Sequence, residues 1–160
     1  IKFDSVEMII YLAADHRGFY LKEKIRDFLK QSGYEVADKG NSVYDEADDY
    51  PDFAVPAARE VAADPGVRRG ILFCGSGAGV DIVANKFNGI RSVLGINPDQ
   101  VYASRHDDDT NILSLPADFI DFEGAKKMVG VFLQTPFSEE EGDKRRRDKV
   151  RDIEEGSPAK

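Results

Sequence analysis

The chain has 160 residues, 41% of them hydrophobic, with one cysteine, two histidines and a formal net charge of −8. That length buries one substantial core, a single cysteine excludes a disulfide framework, and the acidic balance argues against general nucleic-acid binding. No apolar run approaches the length of a membrane span and no signal-peptide succession opens the chain, so no membrane association and a cytoplasmic setting are expected.

In chain order, strand-like and helix-like stretches alternate. Residues 1–7 precede the first periodic segment and are read as a leader or a cloning remnant. Residues 8–13 are apolar and β-rich, and 18–31 carry Leu21, Ile25, Phe28 and Leu29 at helical spacing before Gly33 stops the pattern. A short strand is predicted over 34–37, then an acidic loop over 41–50. A helix is predicted over 51–63, with Pro51 suited to its first turn and Pro56 expected to kink it or delay its start. Strands follow at 70–73, 92–96 and 111–115, and helices at 79–87, 98–106 and 122–134. From residue 138 the chain is highly charged, with Val150 and Ile153 at helical spacing. Residues 8–137 are therefore read as one domain and 138–160 as a charged C-terminal helix or tail. This rhythm predicts a three-layer, doubly wound, Rossmann-like α/β fold with a five-stranded parallel sheet and ligands at the carboxyl ends of its strands.

The chemistry concentrates in three loops: AADHRGF at 13–19, CGSGAG at 74–79 and RHDDDTN at 105–111. Gly75, Gly77 and Gly79 let the backbone approach a ligand, and the helix start after them leaves N–H groups for an anion. The turn lacks the third glycine of a dinucleotide fingerprint and the Gly-Lys-Ser/Thr ending of a P-loop. Cys74, at the last position of its strand, puts a weak acid beside that anion hole, which suggests proton transfer. The loops after strands one and three leave the same sheet edge, so Asp15 and His16 can converge on Cys74. The plain alternatives are a Cys74 that is only a small hydrophobe, an Asp15 that caps the next helix, and acidic runs and arginines that only meet solvent. One cysteine and two histidines leave little for a protein-only metal site.

Together, AADHRGF at 13–19, YDEADDYPD at 44–52, GILFCGSGAG at 70–79 and ANKFNGIR at 84–91 resemble the type B ribose-5-phosphate isomerases and the related galactose-6-phosphate isomerase subunits. The resemblance runs from about residue 8 to residue 150. It implies aldose–ketose interconversion of a sugar phosphate through an enediolate, without metal or other cofactor. It places the base at Cys74 and the oxyanion donors at Ser76 and the N–H groups of Gly75–Gly79. Some members use a Glu within the same turn as base, where this chain has Val80. Asp15 is implied to bind sugar hydroxyls or the ring oxygen, His16 the phosphate end, and Tyr50 the pocket wall. A homodimer, or a tetramer built from it, is implied, each pocket borrowing residues from the partner chain.

The chain departs from the pattern in its second half. Members commonly carry a His-Asn pair before strand five that opens the sugar ring. With Asn111 held in register as a site residue, that His position is Asp107, and His106 lies one residue early, about 100° around a helix. Either the loop is rearranged to bring His106 in or Asp107 has taken over; the register favours Asp107. An expected arginine after strand five reads Asp118, and of an Arg-His-x-Arg-Arg stretch near the C-terminus Arg146 and Arg147 remain to hold phosphate, with Lys144 and Arg145 able to compensate. The expected activity is ribose 5-phosphate to ribulose 5-phosphate isomerisation. The alternatives are another phosphorylated or free pentose or hexose, an inactive sugar-phosphate binder, or a nucleotide-binding α/β module.

Overall fold

The computed structural model describes residues 8–156, so the leader reading of residues 1–7 lies outside the described residues. Five short apolar runs form a wholly parallel sheet in the order β2-β1-β3-β5-β4: β1 is Ile9–Ala14, β2 Glu35–Asp38, β3 Arg69–Cys74, β4 Ser92–Leu94 and β5 Ile112–Pro116. The central strands β1, β3 and β5 are buried almost throughout, as a parallel sheet covered on both faces requires.

Helices α1 (Phe19–Gln31), α4 (Pro98–Asp108) and α5 (Phe122–Gln134) cover one face, burying Ile25, Leu29, Val101, Met128 and Phe132 against Leu12, Phe73 and Leu115. Helices α2 (Tyr50–Ala63) and α3 (Ala78–Ala84) cover the other with Ala54, Ala57, Ala58, Val61, Val80 and Ala84. The expected three-layer α/β architecture is present. The chain leaves β1 toward β2 on one side and β3 lies on the other, so the strand order reverses between β1 and β3, where open α/β sheets have a crevice at their carboxyl edge.

The expected and observed elements differ where local chemistry overrides periodicity. The strand expected at 34–37 starts one residue later because α1 ends in a Schellman turn: Gly33, at φ +87°, donates to the Lys30 carbonyl, and the Tyr34 N–H donates to the Leu29 carbonyl. Pro56 neither delays nor divides α2, which starts at Tyr50 with Pro51 in its first turn and continues through Pro56. An interior proline costs about 3 kcal/mol, and a helix face buried as completely as Ala54, Ala57, Ala58 and Val61 offsets it. The charged C-terminal stretch forms α6 (Glu141–Glu154), tied back by Arg147 to Asp109 at 3.0 Å and by Glu154, which accepts from the Gly89 N–H at 2.9 Å.

Lys22 of α1 is fully buried, with Nζ 2.6 Å from Asp38 Oδ2 and 3.0 Å from Glu23 Oε1. Asp38 Oδ1 in turn accepts from the Gly40 N–H at 2.8 Å, which fixes the path of the chain after β2. Asp38 and Glu23 are only partly buried and both also meet Arg26, so Lys22→Ala is expected to cost about 2 kcal/mol through lost packing and lost charge-assisted bonds. A urea unfolding curve reads this as a lower midpoint with unchanged slope; an unchanged midpoint would show that solvent replaces the amine at no cost.

Candidate active site

At the carboxyl edge the loop after β1 lies on the turn after β3. Gly18 sits so close that a methyl group on it would lie 2.5 Å from the Phe73 Cβ and 2.8 Å from its carbonyl carbon. Asp15 is buried, and its Oδ1 accepts from the N–H groups of Arg17 at 3.0 Å and Gly18 at 3.1 Å. These bonds close the turn that leads into α1, but the N-cap of α1 is Gly18 with no side-chain cap, so Asp15 is not the helix cap of the plain reading. Burial raises the Asp15 pKa above the ordinary carboxylate value, only partly opposed by these N–H donors.

Cys74, 4% exposed, ends β3 in this crevice. Gly77 adopts φ +74° in the turn that follows, a left-handed conformation that favours glycine, and a side chain there would strike Leu94 at 2.5 Å. Ser76 is exposed, and its Oγ accepts from the Ala78 N–H at 3.3 Å. The Tyr50 ring covers Gly79, where an added methyl would lie 2.7 Å from Cζ. Asp15 and His16 follow β1, Cys74 ends β3 with Gly75, Ser76, Gly77 and Gly79 after it, and Tyr50 packs on Gly79, so all of these residues stand at the carboxyl edge of the sheet.

Three residues there carry chemistry that sequence reading did not assign. Asp48, from the acidic loop read as solvated, accepts from the His16 N–H at 2.9 Å, and its Oδ1 lies 2.8 Å from His16 Nδ1. With the carboxylate as acceptor, Nδ1 carries the hydrogen and Nε2 is the nitrogen left for a ligand. The Asp48 hydrogen bond raises the His16 pKa above the ordinary histidine value, against a smaller opposing effect of burial. Burial pushes Asp48 up, but the hydrogen bonds from the His16 ring, the His16 N–H and Asn41 outweigh it and hold its carboxyl below the ordinary value. The other two are Arg17 and Asp118, which form an ion pair beside Gly75. Arg17 lies between His16 and Gly18 in the loop after β1, and Asp118 occupies the position where the family pattern has an arginine.

The remaining sequence-predicted residues lie at the opposite edge. Gly70 pairs with Ile112 and Cys74 with Pro116, so the start of β5 is about 13 Å along the strands from the thiol. Asn111, fully buried just before that start, accepts from the Arg91 N–H at 2.9 Å and donates to the Gly89 carbonyl at 2.8 Å. In this chain its amide clamps a loop. His106 and Asp107 end α4 nearby, with His106 Nδ1 2.7 Å from Asp107 Oδ1 and its ring stacked on Tyr102. Asp109, left-handed at φ 53°, has its carboxylate within 3.3 Å of Arg91, Arg105 and Arg147. Arg146 pairs with Asp143 at 2.9 Å. Burial, and then the charges of Asp107 and Asp143, raise the pKa of Asp108. A cavity of about 480 Å³ opens here, lined by Ser104, Asp108, Arg146 and Arg147 and not by Cys74.

Potential metal ligands gather in two places among the described residues, Asp15 with His16 and Asp48, and His106 with Asp107 and Asp143, each set with its ligand atoms within 4.8 Å of one another. In the first set the Asp15 and Asp48 oxygens already accept N–H bonds, and in the second Asp143 accepts from Ser138 and Arg146. Some of the ligand atoms in each set are thus already engaged in hydrogen bonds, while His16 Nε2 stays available.

A buried thiol, a glycine turn and a carboxylate–histidine pair at the switch point of a parallel sheet define an α/β protein with a candidate acid/base site. Residues 10–150 match the family model described as Ribose/Galactose Isomerase, and the chain belongs to that family. It is 42% identical over 124 residues to ribose-5-phosphate isomerase B of Escherichia coli K12, covering 78% of this chain and 82% of that one. To ribose-5-phosphate isomerase B of Mycobacterium tuberculosis H37Rv it is 37% identical over 147 residues, 92% of this chain and 90% of the relative. Its fold matches the crystal structure of ribose-5-phosphate isomerase B from Mycoplasma genitalium with bound ribulose-5-phosphate at a TM-score of 0.90 and 35% identity, covering 94% of this chain and 98% of that one. Family membership makes the chain an aldose–ketose isomerase.

Asp48→Asn is expected to lower the His16 pKa toward its ordinary value. A raised His pKa means a cationic ring that persists to higher pH and is lost as pH rises through the folded-state value. The alkaline limb of kcat/KM should therefore shift to lower pH in the variant. An identical pH profile in variant and wild type would remove Asp48 from the site.

Proposed function

We propose that the protein interconverts ribose 5-phosphate and ribulose 5-phosphate through an enediolate, without a metal, with Cys74 as the base. The observation that carries this reading is the position of Cys74: a buried thiol at the end of a central strand, at the switch point, followed directly by the glycine turn, with Gly18 of the loop after β1 packed on Phe73 and Arg17 on Gly75. In the aldose-to-ketose direction the Cys74 thiolate takes the C2 proton, the electron pair moves into the carbonyl, and the oxygen at C1 becomes the enediolate oxyanion. The C2 hydroxyl gives up its proton, which ends on the C1 oxyanion to make the C1 hydroxyl, and as C2 becomes the ketone the proton held on sulfur is delivered to C1. Ser76 and the N–H groups of Gly75–Gly79 hold the oxyanion, and such a donor is worth about 3 kcal/mol in comparable sites. Asp15, protonated more readily than an ordinary carboxyl, hydrogen-bonds sugar hydroxyls. Tyr50 walls the crevice and His16 meets the phosphate end.

Ring opening falls to Asp107, hydrogen-bonded to His106, and Arg146 and Arg147 meet the phosphate. In one chain these groups stand at the amino edge, with Cys74 at the carboxyl edge. Their joint action requires a second copy to bring its amino-edge group over the crevice, as a two-fold dimer with reciprocal contacts provides. Residues 8–137 then form the domain that carries the thiol, and the charged helix beyond them is the arm that reaches the neighbour. A panel of ribose 5-phosphate, allose 6-phosphate, galactose 6-phosphate and their unphosphorylated sugars tests the reading. Ribose 5-phosphate is expected to have the highest kcat/KM; preference for a hexose phosphate or a free sugar would reassign the substrate.

A further inference from the structure

We propose that Arg17 is the cation that receives the terminal phosphate of the substrate within the chain's own crevice, and that Asp118 is a built-in competitor that holds Arg17 in place and limits its affinity. This deepens the isomerase reading above and rests on it. Three loops from the carboxyl ends of β1, β3 and β5 meet at this point. The Ala117 N–H donates to the Cys74 carbonyl at 2.9 Å and the Asp118 N–H to the Gly75 carbonyl at 3.0 Å, so Asp118 is fixed relative to the thiol by backbone bonds. The Arg17 N–H is fixed in turn by Asp15.

Across this seam lies the Arg17 guanidinium, near enough that a methyl group on Gly75 would lie 2.3 Å from its Cζ and Nε. The absence of a side chain at residue 75 therefore makes room for this cation next to Cys74. Arg17 and Asp118 are 55% and 38% exposed, whereas Cys74 is 4% exposed, so the pair stands at the rim and the thiol on the floor. A sugar whose C1 and C2 lie at the thiol carries its terminal phosphate several bonds outward, at the height of the rim. His16, with Nε2 free of Asp48, immediately precedes Arg17.

An Arg–Asp pair on a surface is ordinarily inert and contributes little to stability. Here that weakness has a use, since a dianion can displace the Asp118 carboxylate from a guanidinium whose planar fork suits phosphate and carboxylate alike. Asp118 thereby disfavours weakly charged ligands, which do not compete with it, and selects for the phosphorylated sugar.

The two residues make opposite predictions. Arg17→Ala is expected to raise KM for ribose 5-phosphate and the inhibition constant for inorganic phosphate at least tenfold, with a smaller change in kcat. Asp118→Asn is expected to lower both constants several-fold, and Arg17→Lys to restore part of the loss. Thermal midpoints close to wild type identify these as binding effects, and Asp118→Asn supplies the test if Arg17→Ala fails to fold. Shifts in the same direction for Arg17→Ala and Asp118→Asn, or unchanged phosphate affinity in either, would overturn the proposal. Calorimetric titration with inorganic phosphate separates it from the isomerase reading. Arg17-dependent phosphate binding in a protein that isomerises no sugar would leave this site standing and remove the reaction; normal turnover with Arg17-independent phosphate binding would do the reverse.

Discussion

Replacing Cys74 with alanine is expected to lower turnover of ribose 5-phosphate by roughly 10²- to 10⁴-fold while leaving KM within a few-fold of wild type. A positioned acid/base group contributes on this scale, and Cys74 is asked to move the proton in both half-steps. The side chain is small and packs in the cluster that includes Ala13, Leu72 and Val80, so deleting one sulfur removes little binding surface and costs about 1 kcal/mol of stability. The two roles of a buried cysteine therefore separate cleanly: an inert hydrophobe loses stability and keeps its rate, whereas a base loses its rate and keeps most of its stability. Steady-state kinetics beside a thermal unfolding scan makes the comparison. Near-normal kcat in Cys74→Ala would return the thiol to the core and leave the crevice without a base.

The second large effect is a gain of activity on mixing. If each site takes its thiol from one subunit and its amino-edge group from the other, Cys74→Ala and the double variant His106→Gln/Asp107→Asn are each nearly inactive alone when assayed with cyclic ribose 5-phosphate. Unfolded together and refolded at equal amounts, random pairing makes about half the dimers mixed, and each mixed dimer holds one site with both partners intact. The expected recovery is about a quarter of wild-type activity. Recovery at the level of the two separate variants would mean that thiol and acid/base group must belong to the same chain, which the separation along β3 and β5 does not accommodate. The single variants then divide the labour at the amino edge. Asp107→Asn is expected to slow an aldose that is mostly cyclic more than His106→Gln does, with open-chain ketose spared in both.

The fold was legible because its signals are local and repeated. Helix α5 has the boundaries that periodicity gives, Phe122–Gln134, and its N-cap Asp121 accepts from the Gly124 N–H at 2.7 Å. The crevice was legible too, since a strand ending at Cys74 and another ending near Ala14 must deliver their loops to one edge of a parallel sheet. What periodicity cannot express is pairing across the chain. Asp48 sits in a run of acids that solvent accounts for equally well, and only the folded loop brings it 32 residues back to His16. Arg17 and Asp118 lie 101 residues apart, and each alone looks like an ordinary surface charge. The loop at 105–111 was read beside the other two, yet it enters β5 where they leave β1 and β3. Asn111, which the family resemblance names as a site residue, therefore lies at the far edge of the sheet from the thiol of its own chain.

The central claim is proton transfer by Cys74 through an enediolate, and isotope exchange tests it most directly. When ribulose 5-phosphate is converted in D₂O, the thiol that carries the proton from C1 to C2 exchanges with solvent in competition with transfer. The ribose 5-phosphate formed should carry deuterium at C2, and Cys74→Ala should abolish both the conversion and the labelling. Product with only protium at C2, or labelling that persists unchanged in Cys74→Ala, would contradict the account.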